Sequence, residues 1–171
     1  MPSPAIAGPR LVLRQIEEGD LDDLHRIVSS PAVARWWRAR DRASLTDWLG
    51  GDPGLTRWAV VLDGAVVGKI QAYEHDDPEY RHAGIDLFLD PTAHGQGLGA
   101  EAIRSVATWL FDERRHHRLV IDPALANERA IRCYERVGFR RVGVLRGYWF
   151  DHETGDWADG LLLDLLRGEL A

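Results

Sequence analysis

One cysteine, Cys133, is present in 171 residues. An intrachain disulfide is excluded, and a cysteine-based metal cluster is unsupported. Histidine does not fill that gap: His116-His117 is an adjacent pair, the others are scattered, and none has His-Glu-x-x-His spacing. No metal is expected. No serine, nor Cys133, sits in a nucleophile-elbow context. No segment approaches the roughly 18 to 20 apolar residues of a membrane span. The opening residues, Met1 to Arg10, carry no apolar h-region, so a secretory signal is not expected and a cytoplasmic location follows by default. Positive charge is short as well. The formal net charge of -6 argues against nucleic acid, which wants a basic footprint, and it suits a cationic substrate as well as it suits an ordinary acidic surface. No internal repeat, low-complexity run or long Pro/Gly/Ser linker divides the chain, and 171 residues suffice for one core, so a single domain over 1–171 is expected.

What is present reads as alternating elements. Arg10 to Ile16 alternates as a strand, and Asp20 is placed to cap a helix with Leu21, Leu24, Ile27 and Val28 on one face. Pro31 to Trp37 and Leu45 to Leu49 read as short helical pieces. Arg57 to Leu62 and Ala65 to Tyr73, joined by Asp63-Gly64, form a hairpin. A polar loop from His75 to His82 precedes a strand over 83–89, then a helix over about 97–113. A strand over 118–122 and a helix capped by Asn127 and stopped by Gly138 come next. Two last strands, near 139–145 and 157–166, flank a polar loop from Gly147 to Asp156. The class is α/β (α+β): a mixed, partly antiparallel sheet with helices on both faces.

The densest signal is Asp90-Pro-Thr-Ala-His-Gly-Gln-Gly-Leu-Gly-Ala100, between an apolar strand and an amphipathic helix. Glycines let backbone approach an anion, and the helix start supplies unpaired N–H groups and the positive end of the dipole. It is not a P-loop, having no Lys-Ser/Thr after the glycines, and Gly95-x-Gly97-x-Gly99 lacks Gly-x-Gly-x-x-Gly spacing. A second signal is Asn127-Glu-Arg-Ala-Ile-Arg-Cys-Tyr134-Glu-Arg-Val-Gly138-Phe139. Asn127 offers amide donors and a carbonyl, and Tyr134 sits two turns on. Taken singly, these are a loop before a helix, a capping Asn and a core Tyr.

Carboxylates supply the remaining candidates. Asp86 lies inside Ile85-Asp-Leu-Phe-Leu89, where burial would raise its pKa and improve it as a general base. Asp122 closes the next strand, so two parallel neighbours would bring both acids to one cleft. Glu74, Asp76, Asp77 and Glu79 could steer a polycation, and Trp36-Trp37 could wall a ring-shaped substrate. The bland alternatives are a solvated loop and a packed Trp pair.

These segments resemble the acyl-CoA loop and the Asn/Tyr segment of the GNAT family of N-acetyltransferases. Within it, Gly84-Ile-Asp86, Gly95 to Gly99, Asp122-Pro123 and Arg129 to Glu135 are most similar to aminoglycoside 6′-N-acetyltransferases. The resemblance implies the GNAT fold and acetyl-CoA as acyl donor. It implies donor contacts from the backbone of Leu87, Phe88 and Leu89, from His94, Gly95, Gln96, Gly97, Leu98, Gly99 and Ala100, and from Asn127 and Tyr134. Asp86 is implied as the base and Tyr134 as the acid for the departing thiol, and Asp122 is implied, like Asp86, both beside the substrate amine and in catalysis. Three departures stand out. His94 replaces the usual Gln or Arg, the 74–83 loop is short, and Arg146 to Leu162 looks more like enzymes acting on protein N-terminal amines. The expected activity is acetylation of an aminoglycoside 6′-amine. The alternatives are acetylation of protein N-termini or polyamines, and a non-catalytic acyl-CoA-binding module. The partner expected is a small cationic amine, with neither nucleic acid nor membrane, for a monomer or homodimer.

Overall fold

The structure is a computed structural model describing residues 3–38 and 40–171. One eight-stranded sheet runs through it in the order β1-β2-β3-β4-β5-β6-β8-β7. The strands are β1 (Ile6–Ala7), β2 (Leu11–Arg14), β3 (Leu55–Leu62), β4 (Ala65–His75), β5 (His82–Leu89), β6 (Arg118–Ile121), β7 (Arg140–Asp151) and β8 (Asp156–Leu166). Among the described residues only the β5–β6 pair is parallel; every other neighbouring pair is antiparallel. The α-helices are α1 (Leu21–Val28), α2 (Pro31–Ala34), α3 (Leu98–Asp112) and α4 (Glu128–Val137).

Period-two alternation sends side chains to two cores. On β3 and β5, Trp58, Val60, Ala83, Ile85 and Leu89 pack with α3 and α4, whereas Ala59 and Phe88 pack with α1 and α2. α3 presents Leu98, Ala102, Ile103, Val106 and Leu110, all buried, at helical spacing. Each such Leu or Ile contributes about 1.5–3 kcal/mol by leaving water. The central strands are thus covered on both faces, and a polar side chain on them is shielded from bulk solvent.

The structure corrects several expected boundaries. Asp20 precedes α1 without capping it; its carboxylate accepts two bonds from Arg14, at 2.7 and 2.8 Å, and one from the Glu17 N–H. The charge-assisted pair at a buried site outweighs a cap that water can replace. The piece expected over 45–49 is a 3-10 helix, Ala43–Trp48. The polar loop shrinks because His75 and His82 pair across β4 and β5. The expected loop from Gly147 to Asp156 is largely sheet. β7 continues to Asp151, with register breaks between Arg141 and Gly143 and between Leu145 and Trp149. Backbone pairing with β8 holds this stretch, whose mostly exposed side chains show no apolar alternation for a pattern reading to find.

A buried acid ties α1 to the end of β5. Asp90 accepts from Arg26 Nη1 at 2.7 Å, and from the Thr92 N–H at 2.9 Å and hydroxyl at 2.7 Å. Burial alone would raise its pKa, but Arg26 and Thr92 outweigh it and hold the carboxyl at about 2. Because the folded value lies below the unfolded one, near 3.9, this stabilisation is complete above that value and is lost as pH falls toward 2. Asp90→Asn is expected to cost about 1–2 kcal/mol at pH 7. Urea midpoints of the two proteins should converge below pH 3. A gap that persists undiminished at pH 2.5 would refute the assignment.

Candidate active site

β5 and β6 pair only at Ala83–Leu119 and Gly84–Val120. Beyond that point they diverge, and the β6-facing edge of β5 from Ile85 to Leu89 has no strand against it among the described residues. Alternation turns every second N–H of this stretch away from β4, toward the gap. The gap opens into a cleft of about 1180 Å³, lined by Asp86, Leu87, Phe88 and Leu89 on one wall and by Ile121, Asp122, Asn127 and Tyr134 on the other. Trp36, Trp37, Tyr148 and Trp149 close one end, and the Gly-rich turn with the start of α3 closes the other.

At the glycine end, Gly97 is the N-cap of α3 with φ +79°, a left-handed conformation that a Cβ would strain. It has no side chain to cap the helix, so the first N–H groups of α3 remain available to a ligand. The acid in that first turn, Glu101, is turned aside: it accepts from the Arg10 and Leu11 N–H groups and from Arg10 Nε. Arg10, Arg104, Arg129 and Arg136 line the same end. Free N–H groups, the helix dipole and four guanidinium groups fit the pyrophosphate and phosphate of a coenzyme A thioester; the narrow gap beside β5 fits its amide-bearing arm. His94 donates from Nε2 to the Leu89 carbonyl at 3.0 Å and accepts at Nδ1 from Arg129 at 2.7 Å. Burial first, and Arg129 second, push its pKa down, so the neutral imidazole persists and holds Arg129 at the cleft. Asn127 spends its carbonyl on the Ala130 N–H as the α4 cap, which leaves its amide N–H groups for the arm.

At the other end, Asp86 stands opposite Gln71 in the β4–β5 register and accepts from Gln71 Nε2 at 2.9 Å. Burial raises the Asp86 pKa, Gln71 and Lys69 oppose the rise, and Asp122 adds to it. Two carboxylates therefore share this end of the cleft. Tyr148 donates its hydroxyl to Asp122 Oδ2, and that bond with partial burial pushes the phenol up to about 12. The Tyr148 ring lies so close to Gly160 that a Cβ there would meet its Cδ1 at 2.6 Å. Any larger residue at 160 would displace Tyr148. Tyr134 is 7% exposed, and burial raises its pKa, with Cys133, Asp86 and Asp122 adding. It stays protonated at any physiological pH and is a proton donor facing the cleft. Trp36 and Trp149 pack at 6.3 Å between centroids, with the Arg35 guanidinium 4.5 Å over Trp36.

The four acids after β4 do not reach this site. Glu74 is turned to Arg114 Nε, at 3.0 Å, and to His116 Nε2, at 2.8 Å. Asp76 pairs with Arg81, and Asp77 accepts from the Glu79 N–H in its own turn. None of Glu74, Asp76, Asp77 and Glu79 lines the cleft, because β4 ends against the start of β5, where β5 and β6 are still paired. Gln96 is exposed, outside the lining, and bonded to the Thr92 carbonyl. Sequence reasoning missed Gln71, Lys69, Arg129, Tyr148 and Trp149. Lys69 and Gln71 carry a signal as two polar residues inside an apolar strand, whereas Tyr148 and Trp149 fall in a stretch with no strand pattern.

A parallel pair that splays beside a glycine-capped helix, with cations at one end and carboxylates at the other, defines an acyl-CoA-dependent transferase cleft. Residues 10–140 match the family model described as acetyltransferase (GNAT) domain. The chain belongs to that family and is an acetyl-CoA-dependent N-acetyltransferase. It is 30% identical over 155 residues to aminoglycoside N(6′)-acetyltransferase type 1 of Klebsiella pneumoniae, covering 79% of this chain and 76% of that protein. It is 26% identical over 144 residues to spermidine N(1)-acetyltransferase of Escherichia coli K12, covering 81% and 77%. The crystal structure of aminoglycoside acetyltransferase AAC(6′)-Ib with coenzyme A and kanamycin superposes with a TM-score of 0.74 at 25% identity, covering 92% of this chain and 95% of that one. No helix among the described residues is long and apolar enough to cross a membrane.

Proposed function

We propose that the protein transfers an acetyl group from acetyl-CoA to a primary amine of an aminoglycoside, at the 6′ position, in the cytoplasm. The observation that carries this reading is the placing of Asp86 and Asp122 together in one cleft end walled by Trp36, Trp37 and Trp149. Two carboxylates suit a substrate with more than one ammonium group, and flat indole faces suit a ring. The 30% identity to an aminoglycoside acetyltransferase supports the same acceptor.

Acetyl-CoA supplies an activated acetyl carbon that a neutral amine can attack. The cationic cleft end and the start of α3 hold its phosphates, and the N–H groups along Leu87 to Leu89 supply donors for a carbonyl in the gap. Asp86 accepts the proton of the substrate ammonium, directly or through a water, and its raised pKa brings it nearer the working pH. Asp122 holds a second cationic group. Tyr134 donates a proton at the thiol side. Amine deprotonation and thiol protonation thus lie with different residues of one cleft.

A polyamine acceptor is the second reading, favoured by the 26% identity to a spermidine acetyltransferase. Thiol release from acetyl-CoA with purified protein separates the two. The expected result is turnover on aminoglycosides that vanishes when the 6′-amine is absent. Turnover on polyamines or N-terminal peptides alone would replace the acceptor, and silence on every panel would overturn both acceptor readings.

A further inference from the structure

Lys69 lies in the middle of β4 and is 1% exposed. It does not line the cleft. Its Nζ lies 4.6 Å from the Trp48 ring centroid and 5.3 Å from that of Trp37, and both rings pack on Phe88. Its hydrogen-bond partner is a neutral amide, Gln71 Oε1. A buried ammonium without a carboxylate in direct contact is an expensive core residue, and cation–π contact with two indoles recovers only part of that cost. A methionine would fill the space without a buried charge. An ammonium only donates, so Gln71 must turn its carbonyl oxygen toward Lys69. The amide nitrogen then faces the other way, and it donates to Asp86 Oδ2 at 2.9 Å. Register puts Gln71 opposite Asp86 and Lys69 opposite Phe88, so the three polar groups form a short chain from the aromatic cage to the cleft.

We propose that Lys69 is a positioning residue for Asp86: its caged cation fixes the orientation of the Gln71 amide, and through it the rotamer and proton affinity of the carboxylate. With the amide nitrogen held on Oδ2, the ionised carboxylate is favoured and Oδ1 is left to take a proton. Without the ammonium, the amide is free to turn its oxygen toward Asp86, which favours the protonated acid. The charged groups acting on the chain come from four directions: Arg40 ahead of the 3-10 helix, Arg57 on β3, Asp86 on β5, and Asp122 after β6. Burial, aided by Arg57 and Arg40 and opposed by Asp86, lowers the Lys69 pKa to about 7, so it is cationic below neutrality. The catalytic consequence rests on Asp86 being the base; the coupling of Lys69 to Asp86 does not.

The test reads Asp86 directly. Carbon-13 NMR of labelled aspartate carboxyls, with the Asp86 signal assigned by its loss in Asp86→Asn, gives its titration midpoint in wild type, Lys69→Met and Gln71→Leu. Both variants are expected to raise it by about one pH unit, while Lys69→Met melts at or above the wild-type temperature. The acid limb of thiol release should move up by the same amount in Lys69→Met. An unchanged Asp86 midpoint in folded Lys69→Met overturns the proposal. If that variant does not fold, an unchanged midpoint in Gln71→Leu overturns it equally. A moved midpoint with an unmoved acid limb keeps the coupling and removes Asp86 as the base.

Discussion

Asp86→Asn is expected to lower kcat by about 10²- to 10⁴-fold, the range that one positioned base contributes, with the Kd for acetyl-CoA unchanged. The substitution removes a proton acceptor and little else. The amide is the same size, and β5 stays paired to β4 along its length. Gln71 Nε2 would meet either an amide oxygen, keeping its bond, or an amide nitrogen, which Gln71 could answer only by turning against Lys69. The donor end of the cleft, from Gly95 to the start of α3, makes no hydrogen bond to Gln71 or Asp86. Pre-steady-state thiol release, read beside equilibrium binding of acetyl-CoA, separates the two effects. A kcat within a few-fold of wild type would mean that the proton leaves by another route, and Asp122 would be the group to replace next.

Tyr134→Phe should cost about 10²-fold in kcat, at the lower end of general-acid contributions. The ring packs beside Phe139, with 6.4 Å between centroids, and Phe preserves that contact, so the melting temperature should hold. What goes is a hydroxyl that burial keeps protonated and that has no side-chain hydrogen-bond partner among the described residues. A proton donor matters most when the leaving group is poor. The loss should therefore shrink when the acyl donor is a thioester of a more acidic thiol. Equal losses with both donors would assign Tyr134 to packing.

Much of the fold was readable from pattern. The helical spacing over 98–112 and 128–137, the Asp63-Gly64 turn, and the apolar run before the Gly-rich loop each report a local preference, and local preferences survive folding where the tertiary structure agrees with them. Reading failed where pairing partners are distant. β7 looked like a loop beyond Leu145 because its side chains are exposed and its support is backbone bonding to β8. Asp20 looked like a cap because nothing local shows that Arg14 will fold over it. Glu74 looked like part of an acidic rim, yet it is bound by Arg114 and His116, 40 and 42 positions away.

The site divides along the same line. A glycine-dense helix start, an Asn cap with a Tyr two turns later, and an acid inside an apolar strand are contiguous patterns. Each depends on backbone geometry within a dozen residues, so spacing marked these positions, and the resemblance to the GNAT family gave Gly97, Asn127, Tyr134 and Asp86 their candidate roles. Which groups touch one another depended on strand order and register. The divergence of β5 from β6 after Gly84 makes the cleft, and the antiparallel match of β4 to β5 puts Gln71 against Asp86. The bulge before Trp149 brings Tyr148 onto Asp122, 26 positions earlier in the chain. No local preference encodes such contacts. They follow from packing two cores against one sheet, where a single step of register would send every one of these side chains to the other face.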